Sequence, residues 1–419
     1  MASATSRAAT GVWWPVLFSL LLVLCAWRAL GIGMADWWAR QNPEAALQWR
    51  PDHAEAALQA AEVAVYSDPR SEAVARWSRQ AISSYPLDGR PYRLLADTAG
   101  MPVNLGKALH EIAAERSPRD YLSQAWVINA ALQTQDFRRA VGMLDRMLRA
   151  RPEIAHHLTP VLAGIASTPE AQPALADALA KNPPWREPRF GSIVEAASSG
   201  QALTPLMREL RARTGGVTPQ EQAAWINRLL RDGQYGFAYL AWIESLSPEQ
   251  QQRIGNVYDG GFELPPSGAA FEWQLRGANG VQVDRAHVDD GSGAVSLRIV
   301  FDERSREAGH VGQMLLLAPG SYRFGGRSRM LGIDEGAGLV WRISCTQSGK
   351  SIAQSSGLSG SHDWRGFSVD FVVPTQGCEA QYLSLARPVV ATSSVAGVAA
   401  FDDLAIEKKY APIVETARF

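Results

Sequence analysis

The sequence predicts a multidomain α + β protein with an N-terminal transmembrane helix, an all-α repeat region and a C-terminal all-β sandwich. Three observations predict it: an apolar run near the start, a period of about 34 residues in the middle, and alternation with period two in the last third. At 419 residues the chain exceeds one ordinary domain, and 46% hydrophobic residues suffice for buried cores. The expected parts are a cytoplasmic tail at 1–10, an anchor at 11–35, helical repeats at 37–255, a sandwich at 256–408 and a C-terminal tail at 409–419.

The anchor is predicted from an apolar segment that begins at Gly11. No charged residue occurs between Gly11 and Arg28, and after Arg28 the apolar run resumes as far as Ala35. A helix of these 25 residues is about 37 Å long, which is enough to cross a bilayer core. Tryptophan pairs at 13–14 and 37–38 stand at its two ends, as interfacial aromatic residues do.

A short N-terminal tail with some 380 residues behind it favours a single-pass inner-membrane protein, with the tail inside and the bulk of the chain in the periplasm. The alternative is a cleaved signal peptide with its site at Gly33-Met34-Ala35. Both interpretations place the rest of the chain outside the cytoplasm.

The helical region is predicted from four prolines that each end a helix-forming segment. They lie 35, 32 and 34 residues apart, at Pro51, Pro86, Pro118 and Pro152. Five residues before each proline stand Ala46, Ala81, Ala113 and Met147, and twelve before stand Ala39, Val74, Gly106 and Ala140. Mostly small residues seven apart let a neighbouring helix pack closely, and proline stops the helix. This period indicates a helix-turn-helix solenoid.

The clearest copy runs from Asp136-Phe137-Arg138-Arg139-Ala140 to Pro152, and it resembles the tetratricopeptide repeat. The first half of each copy departs from that family, because its usual tryptophan and tyrosine are mostly missing. The resemblance implies a concave surface that holds a peptide or a helix of a partner protein. A generic helical bundle is the alternative.

The last third alternates apolar and polar residues, as in 295–301, 339–345 and 367–371, with glycine-rich turns between. Short strands of this kind over roughly 150 residues predict a β-sandwich. Cys345 ends one predicted strand and Cys378 precedes another. Outside the cytoplasm we expect these two cysteines to form a disulfide.

This region opens with Asn256-Val257-Tyr258-Asp259-Gly260-Gly261-Phe262-Glu263, followed by Trp273, and closes with Phe401-Asp402-Asp403-Leu404-Ala405-Ile406. The pair of segments resembles the jelly-roll carbohydrate-binding modules of bacterial polysaccharide-active proteins. The resemblance implies a structural calcium ion between the first and last strands, held by Glu263 and Asp403, with Asp259 or Asp402 as a further ligand. The alternative is that these are turn and edge carboxylates without a metal.

Sugar binding in such folds uses aromatic faces beside a few polar groups. The candidates are Trp273, Tyr322, Arg342 and Trp364. Trp364 is the preferred one, because it lies in a polar segment predicted as a loop before a strand, although a role in capping the core is the alternative. Trp341 shares its face with Ile343 and Cys345, which predicts a core position.

The charge balance, 41 basic against 42 acidic residues, predicts no nucleic-acid partner. We find no nucleophile elbow and no Cys-x-x-Cys motif, so we expect no enzyme. The combination of parts resembles accessory proteins of bacterial exopolysaccharide assembly and export. It implies a scaffold that binds polysaccharide and protein components of that complex. The alternatives are a protein scaffold without sugar binding and a polysaccharide-modifying enzyme with an unrecognised site.

Overall fold

The computed structural model describes residues 13–288, 294–305, 308–333, 338–388 and 394–409. The predicted cytoplasmic tail and residues 410–419 of the C-terminal tail lie outside the described residues. The chain divides into two compact units, Met1–Leu158 with Glu170–Arg186, and Thr159–Pro169 with Glu187–Phe419. An apolar N-terminal helix, an all-α region and a two-sheet β-sandwich follow one another, so the predicted fold class is confirmed.

The helices that precede the first strand are α1 Trp13–Trp38, α2 Pro43–Trp49, α3 Ala54–Ser67, α4 Glu72–Ser84, α5 Arg90–Ala96, α6 Val103–Arg116, α7 Tyr121–Gln133, α8 Phe137–Ala150, α9 Ala155–Ala166, α10 Gln172–Ala180, α11 Arg186–Ala196, α12 Thr204–Arg211, α13 Pro219–Arg231, α14 Tyr235–Ile243 and α15 Pro248–Gln251. Short 3₁₀ turns at Pro152–Ile154 and Gln201–Leu203 precede α9 and α12.

The prolines of the repeat mark helix ends, as predicted. Helices α2, α4, α6 and α8 each end two residues before one of these prolines. In each case the N–H of the capping residue donates to the carbonyl of the residue five before the proline. The residues five and twelve before each proline are all buried. The period in the sequence is therefore a period of helix packing.

In the second unit, α13 begins with a capping box, in which the side chains of Thr218 and Glu221 each accept from the other's backbone N–H. Gly233 adopts φ 72° where the chain turns into α14. Trp242 of α14 packs against Tyr258 and Phe271, with ring centroids 5.1 and 5.5 Å apart. The last helices therefore share a core with the segment that enters the sandwich.

The strands are β1 Gln274–Arg276, β2 Val281–His287, β3 Val295–Ser305, β4 His310–Leu315, β5 Gly320–Ile333, β6 Val340–Cys345, β7 Ser351–Gln354, β8 Gly360–Val373, β9 Gln381–Ala386 and β10 Val395–Lys408. Within the described ranges they form two five-stranded antiparallel sheets, β1-β4-β9-β6-β7 and β2-β3-β10-β5-β8. Alternate residues of both sheets meet in one core that contains Phe324, Trp341 and Phe401. The core position predicted for Trp341 is confirmed.

The predicted disulfide is confirmed. Cys345 at the end of β6 and Cys378 before β9 are bonded, with their Cα atoms 4.8 Å apart, and both are buried. Because β6 pairs directly with β9, the bond joins two neighbouring strands at one end of their sheet.

The opening segment 256–263 was expected to be the first strand, and this is wrong. It is an irregular segment that lies beside β10 and is joined to it by isolated hydrogen bonds. The side-chain amide of Asn256 donates to the Ile406 carbonyl, and the backbone N–H of Leu404 donates to the Gly260 carbonyl, both over 2.9 Å. A Cβ at Gly260 would lie only 1.8 Å from the Leu404 oxygen, so glycine is required there. The opening and closing segments do meet, but not as paired strands.

Candidate functional site

The outward face of the sheet β2-β3-β10-β5-β8 carries a groove of about 580 Å³ that reaches residues of all five strands. Its lining residues are Ala286, His287, Val288, Ser296, Arg298, Arg329, Met330, Leu331, Ser361, His362, Asp363, Trp364, Val398 and Ala400. At about 4.8 Å between neighbouring strands, five strands extend over about 19 Å. An extended chain of several small units therefore has room to lie across the sheet.

The alternation of each strand places these side chains outside. In β3 the core takes Leu297 and Ile299, which leaves Ser296 and Arg298 on the outer face. In β10, Ala399 and Phe401 are buried, which leaves Val398 and Ala400 outside. The same pattern that builds the core therefore also builds the groove.

The floor of the groove consists of small side chains on the middle strands. Ala400 of the central strand β10 lies opposite Arg298 of β3 on one side and Arg329 of β5 on the other. Ala286 and Ser296 continue the low surface toward β2. Long arginines on both sides of an alanine produce a trough whose apolar bottom suits the C–H face of a ring.

Each of the two arginines beside Ala400 has a carboxylate partner. Arg298 donates through Nε and Nη2 to both oxygens of Asp284, over 3.0 and 2.9 Å. Arg329 Nε lies 3.5 Å from an oxygen of Asp363. Both arginine side chains are about half exposed, so the two arginine–aspartate pairs are accessible from the solvent. The walls therefore offer donors and acceptors together, without a large uncompensated charge.

Trp364 forms part of the wall on β8. Its sequence context predicted a loop, but β8 begins at Gly360 because it continues to pair with the long strand β5, so Trp364 lies within a strand. The guanidinium carbon of Arg327 lies 5.4 Å from the ring centroid. Among the described residues, neither the indole N–H of Trp364 nor Nε2 of His362 has a hydrogen-bond partner.

The other sugar-binding candidates, Trp273, Tyr322 and Arg342, do not line the groove that contains Trp364. Trp273 and Tyr322 are each only 3% exposed, and their polar atoms donate to the carbonyls of Asp259 and Ala318. The interpretation of these two rings as sugar platforms is therefore wrong, because they belong to the core. Arg342 lies on β6 of the other sheet, beside Gln354.

Arg298 and Arg329 were not among the residues predicted from the sequence. The alternation of β3 was visible, and it would have placed Arg298 on the outer face opposite Leu297 and Ile299. Nothing in the sequence brought Arg298 next to Arg329, because β10 comes to lie between β3 and β5 only in the folded sheet.

Two of the proposed calcium ligands, Glu263 and Asp402, lie beside Gly261. A Cβ on Gly261 would be 3.7 Å from both Asp402 Oδ1 and Glu263 Cγ. Glu263 accepts the N–H of Val295 over 3.3 Å, and Asp259 accepts those of Glu263 and Leu264 over 3.1 and 2.9 Å. Asp259 therefore already binds the backbone of the opening segment, and Glu263 binds the backbone of β3.

The two carboxylates of β10, Asp402 and Asp403, each form an ion pair with Arg327. It lies 2.8 Å from Asp402 and 2.7 Å from Asp403, whose side chain is 63% exposed. Burial raises the pKa of Asp402, and burial likewise raises the pKa of Asp259. Within the described ranges, no three or more His, Cys, Asp and Glu side chains gather as a metal site. As placed, the carboxylates of β10 hold the guanidinium group of Arg327. The calcium ion that the resemblance implies stays a prediction that a chelator can test.

No family model and no curated protein matches this chain. Solved structures similar to its sandwich include a CBM4 module (TM-score 0.29, 16% identity, covering 36% of this chain and 99% of that one). Others are TmCBM61 in complex with β-1,4-galactotriose (0.27, 17%, 37% and 99%) and the CBM22-1 xylan-binding domain of Paenibacillus barcinonensis Xyn10C (0.26, 14%, 36% and 93%). With TM-scores this low, the likeness carries no argument about function.

Proposed function

We propose that this protein is a membrane-anchored, non-catalytic scaffold that holds a polysaccharide in the groove of its sandwich and a partner protein on its helical repeats. The groove carries the proposal, because it combines an apolar floor, paired polar groups and an aromatic wall on one face. Such a surface matches a sugar chain, whose rings have apolar C–H faces and hydroxyls at their edges.

The charges of the groove favour an uncharged glycan. Arg298 and Arg329 each lie beside a carboxylate, so an anionic sugar would have to compete with Asp284 and Asp363. A hydroxyl group, which both donates and accepts, can bind an arginine–aspartate pair without separating it. We therefore expect neutral polysaccharide to be preferred over polyuronate.

A non-catalytic role is part of the proposal. Hydrolysis of a glycosidic bond usually needs two carboxyl groups on opposite sides of the bond. Among the described residues that line the groove, Asp363 is the only carboxylate, and Asp284 lies beside the lining residue Arg298. Both carboxylates are paired with an arginine, Asp363 with Arg329 and Asp284 with Arg298.

Membrane anchoring is supported by the position of the alternative cleavage site. Ala35 is fully buried within α1, and the next residue, Asp36, hydrogen-bonds to His53 over 2.8 Å. Cleavage after Ala35 would cut a packed helix and remove its buried residue. We infer an uncleaved anchor in the inner membrane, with the bulk of the chain in the periplasm.

Partner binding is proposed for the first unit. A cavity of about 330 Å³ lies among α6, α7 and α8, where Lys107, Glu111, Trp126 and Arg139 line it. Its mixture of charges and an aromatic ring suits a peptide segment of a component of polysaccharide synthesis or export. Holding glycan and partner on one anchored chain would raise the effective concentration of each for the other.

Affinity electrophoresis of the full chain in gels that contain neutral polysaccharides tests glycan binding. We expect Ala400→Leu to weaken retention at least tenfold, because the side chain fills the floor, and Trp364→Ala to weaken it as well. Ala405→Leu is the matched control, because Ala405 is exposed on the same strand but does not line the groove. Equal retention of Ala400→Leu and Ala405→Leu would contradict the proposal, and no retention of wild type by any glycan would favour a protein scaffold without sugar binding.

A further inference from the structure

Helix α1 consists of two parts with different surroundings. From Val16 to Leu30 the apolar side chains are bare, and α1 is the one described helix that is long and apolar enough to cross a membrane. From Gly31 onward, side chains three or four residues apart become covered, including Ala35 and, just after the helix, Ala39. This second part packs against α2 and α3. The packed part behaves as the first helix of the repeat unit.

Helix α2 runs back along α1 toward the bare part. Its last residue, Trp49, brings its ring centroid within 6.4 Å of that of Trp27. Trp27 lies 11 residues before the end of α1, which is about 16 Å along the helix axis. The end of α2 therefore reaches a level well inside the apolar run that the sequence assigns to the membrane.

The chain that follows Trp49 is polar and exposed. Arg50 donates to Asp52 over 3.0 Å, and both side chains face the solvent. That hydrogen bond, and to a smaller degree the charge of Arg28, lower the pKa of Asp52. Charged side chains and irregular backbone exposed to lipid are excluded from the hydrocarbon core. A bilayer whose core extended to Trp37 would enclose this turn.

We infer that the boundary between lipid tails and water crosses α1 at Trp27–Arg28, rather than at Trp37–Trp38. The inference rests on the proposed anchor and shortens the span from 11–35 to 11–27. Seventeen residues are the lower limit for crossing a bilayer core. The Trp27–Trp49 pair then lies at the headgroups, where tryptophan is favoured, and Arg28 reaches the phosphates.

The consequence is a specific contact of the first repeat with lipid. The lipid headgroups then contact three parts of the chain: residues 28–38, α2 and the turn at Arg50. The repeat unit is therefore held directly at the membrane surface. Arg28 and Arg50 present two positive charges against the one negative charge of Asp52 at that level, so the surface suits anionic headgroups.

Thiol labelling with a charged maleimide tests where the boundary between lipid tails and water crosses α1. The membranes are broken, so that the reagent reaches both of their faces. Cys25 is the exposed free cysteine of the described chain and lies in the exposed apolar part of α1. Labelling of the wild-type protein therefore shows whether that part lies in the hydrocarbon core of the bilayer. In a Cys25→Ser background we introduce Ile32→Cys, at a position 43% exposed, and Trp37→Cys, at one 56% exposed. We expect Ile32→Cys to react within about fivefold of the rate of Trp37→Cys, and Cys25 to react only after detergent is added.

If Ile32→Cys also needs detergent while Trp37→Cys does not, the boundary lies beyond residue 32 and the inference is wrong. If Cys25 reacts without detergent, or the chain leaves the membrane in a carbonate wash, the anchor itself is wrong. The two failures are therefore distinguishable.

Discussion

Removing the disulfide should destabilise the sandwich and leave the repeat unit unchanged. Cys345 and Cys378 close a loop of 33 residues and join β6 to β9 inside the core. Reduction of the bond frees the unfolded chain to explore conformations that the closed loop forbids. The native strands keep their hydrogen bonds, so most of the effect falls on the unfolded state.

The magnitude follows from the loop length. For 33 residues the chain-entropy relation gives about 3.7 kcal/mol at 25 °C. With a urea dependence of about 2 kcal/mol per molar, the unfolding midpoint of the sandwich should fall by about 1.8 M. The Cys345→Ala, Cys378→Ala double variant should lose at least as much, because two buried sulfur atoms are also removed.

Pulse proteolysis of the full chain across a urea series, followed through a C-terminal epitope, measures this midpoint. Cys25→Ser is the control, because that cysteine lies in α1, and it should shift nothing. Coincident midpoints for oxidised and reduced protein would refute the reasoning. So would two free thiols at positions 345 and 378 in protein taken from an oxidising compartment.

Two further predictions concern the carboxylates of β10. Burial raises the folded-state pKa of Asp402 above the unfolded value of about 3.9, so the stability it contributes is full below that pH and is lost as the pH rises through the folded pKa. Asp402→Asn should therefore gain stability relative to wild type between pH 4 and pH 7 in thermal melts, and a difference that is independent of pH would contradict this. Because Arg327 contacts both carboxylates, we expect EDTA to leave the melting temperature of the full chain unchanged. A decrease with EDTA that Asp403→Ala abolishes would instead establish the calcium ion implied by the resemblance.

The parts of the fold that follow local rules could be predicted from the sequence. The prolines of the repeat mark helix ends because the residue before a proline disfavours the helical conformation, and this depends on no distant residue. The core position of Trp341 follows from its alternation with Ile343 and Cys345. The disulfide was predicted from the compartment and from the positions of the two cysteines beside strands.

The sugar site was predicted less well, and two different reasons apply. Tyr322 alternates with Arg323 and shares its face with Phe324, so the pattern of the strand indicates a core position even though the ring is aromatic and carries a hydroxyl. Trp273 could not be assigned in this way, because it precedes β1 and is held by the Asp259 carbonyl. Arg342 alternates with the core residues Trp341 and Ile343, which indicates an outward face, but which sheet it joins is decided by strand order.

The depth of the groove depends more on Ala400 than on Trp364. A trough exists because a short side chain on the central strand stands between two long ones, and register places Ala400 directly between Arg298 and Arg329. The side chain at position 400 is not part of the core, because Ala399 and Phe401 are the buried neighbours there. Packing therefore does not require alanine, whereas a ligand lying on the sheet does. Removal of the Trp364 ring only opens one wall, so a substitution at Ala400 is the sharper test of whether a glycan occupies this face.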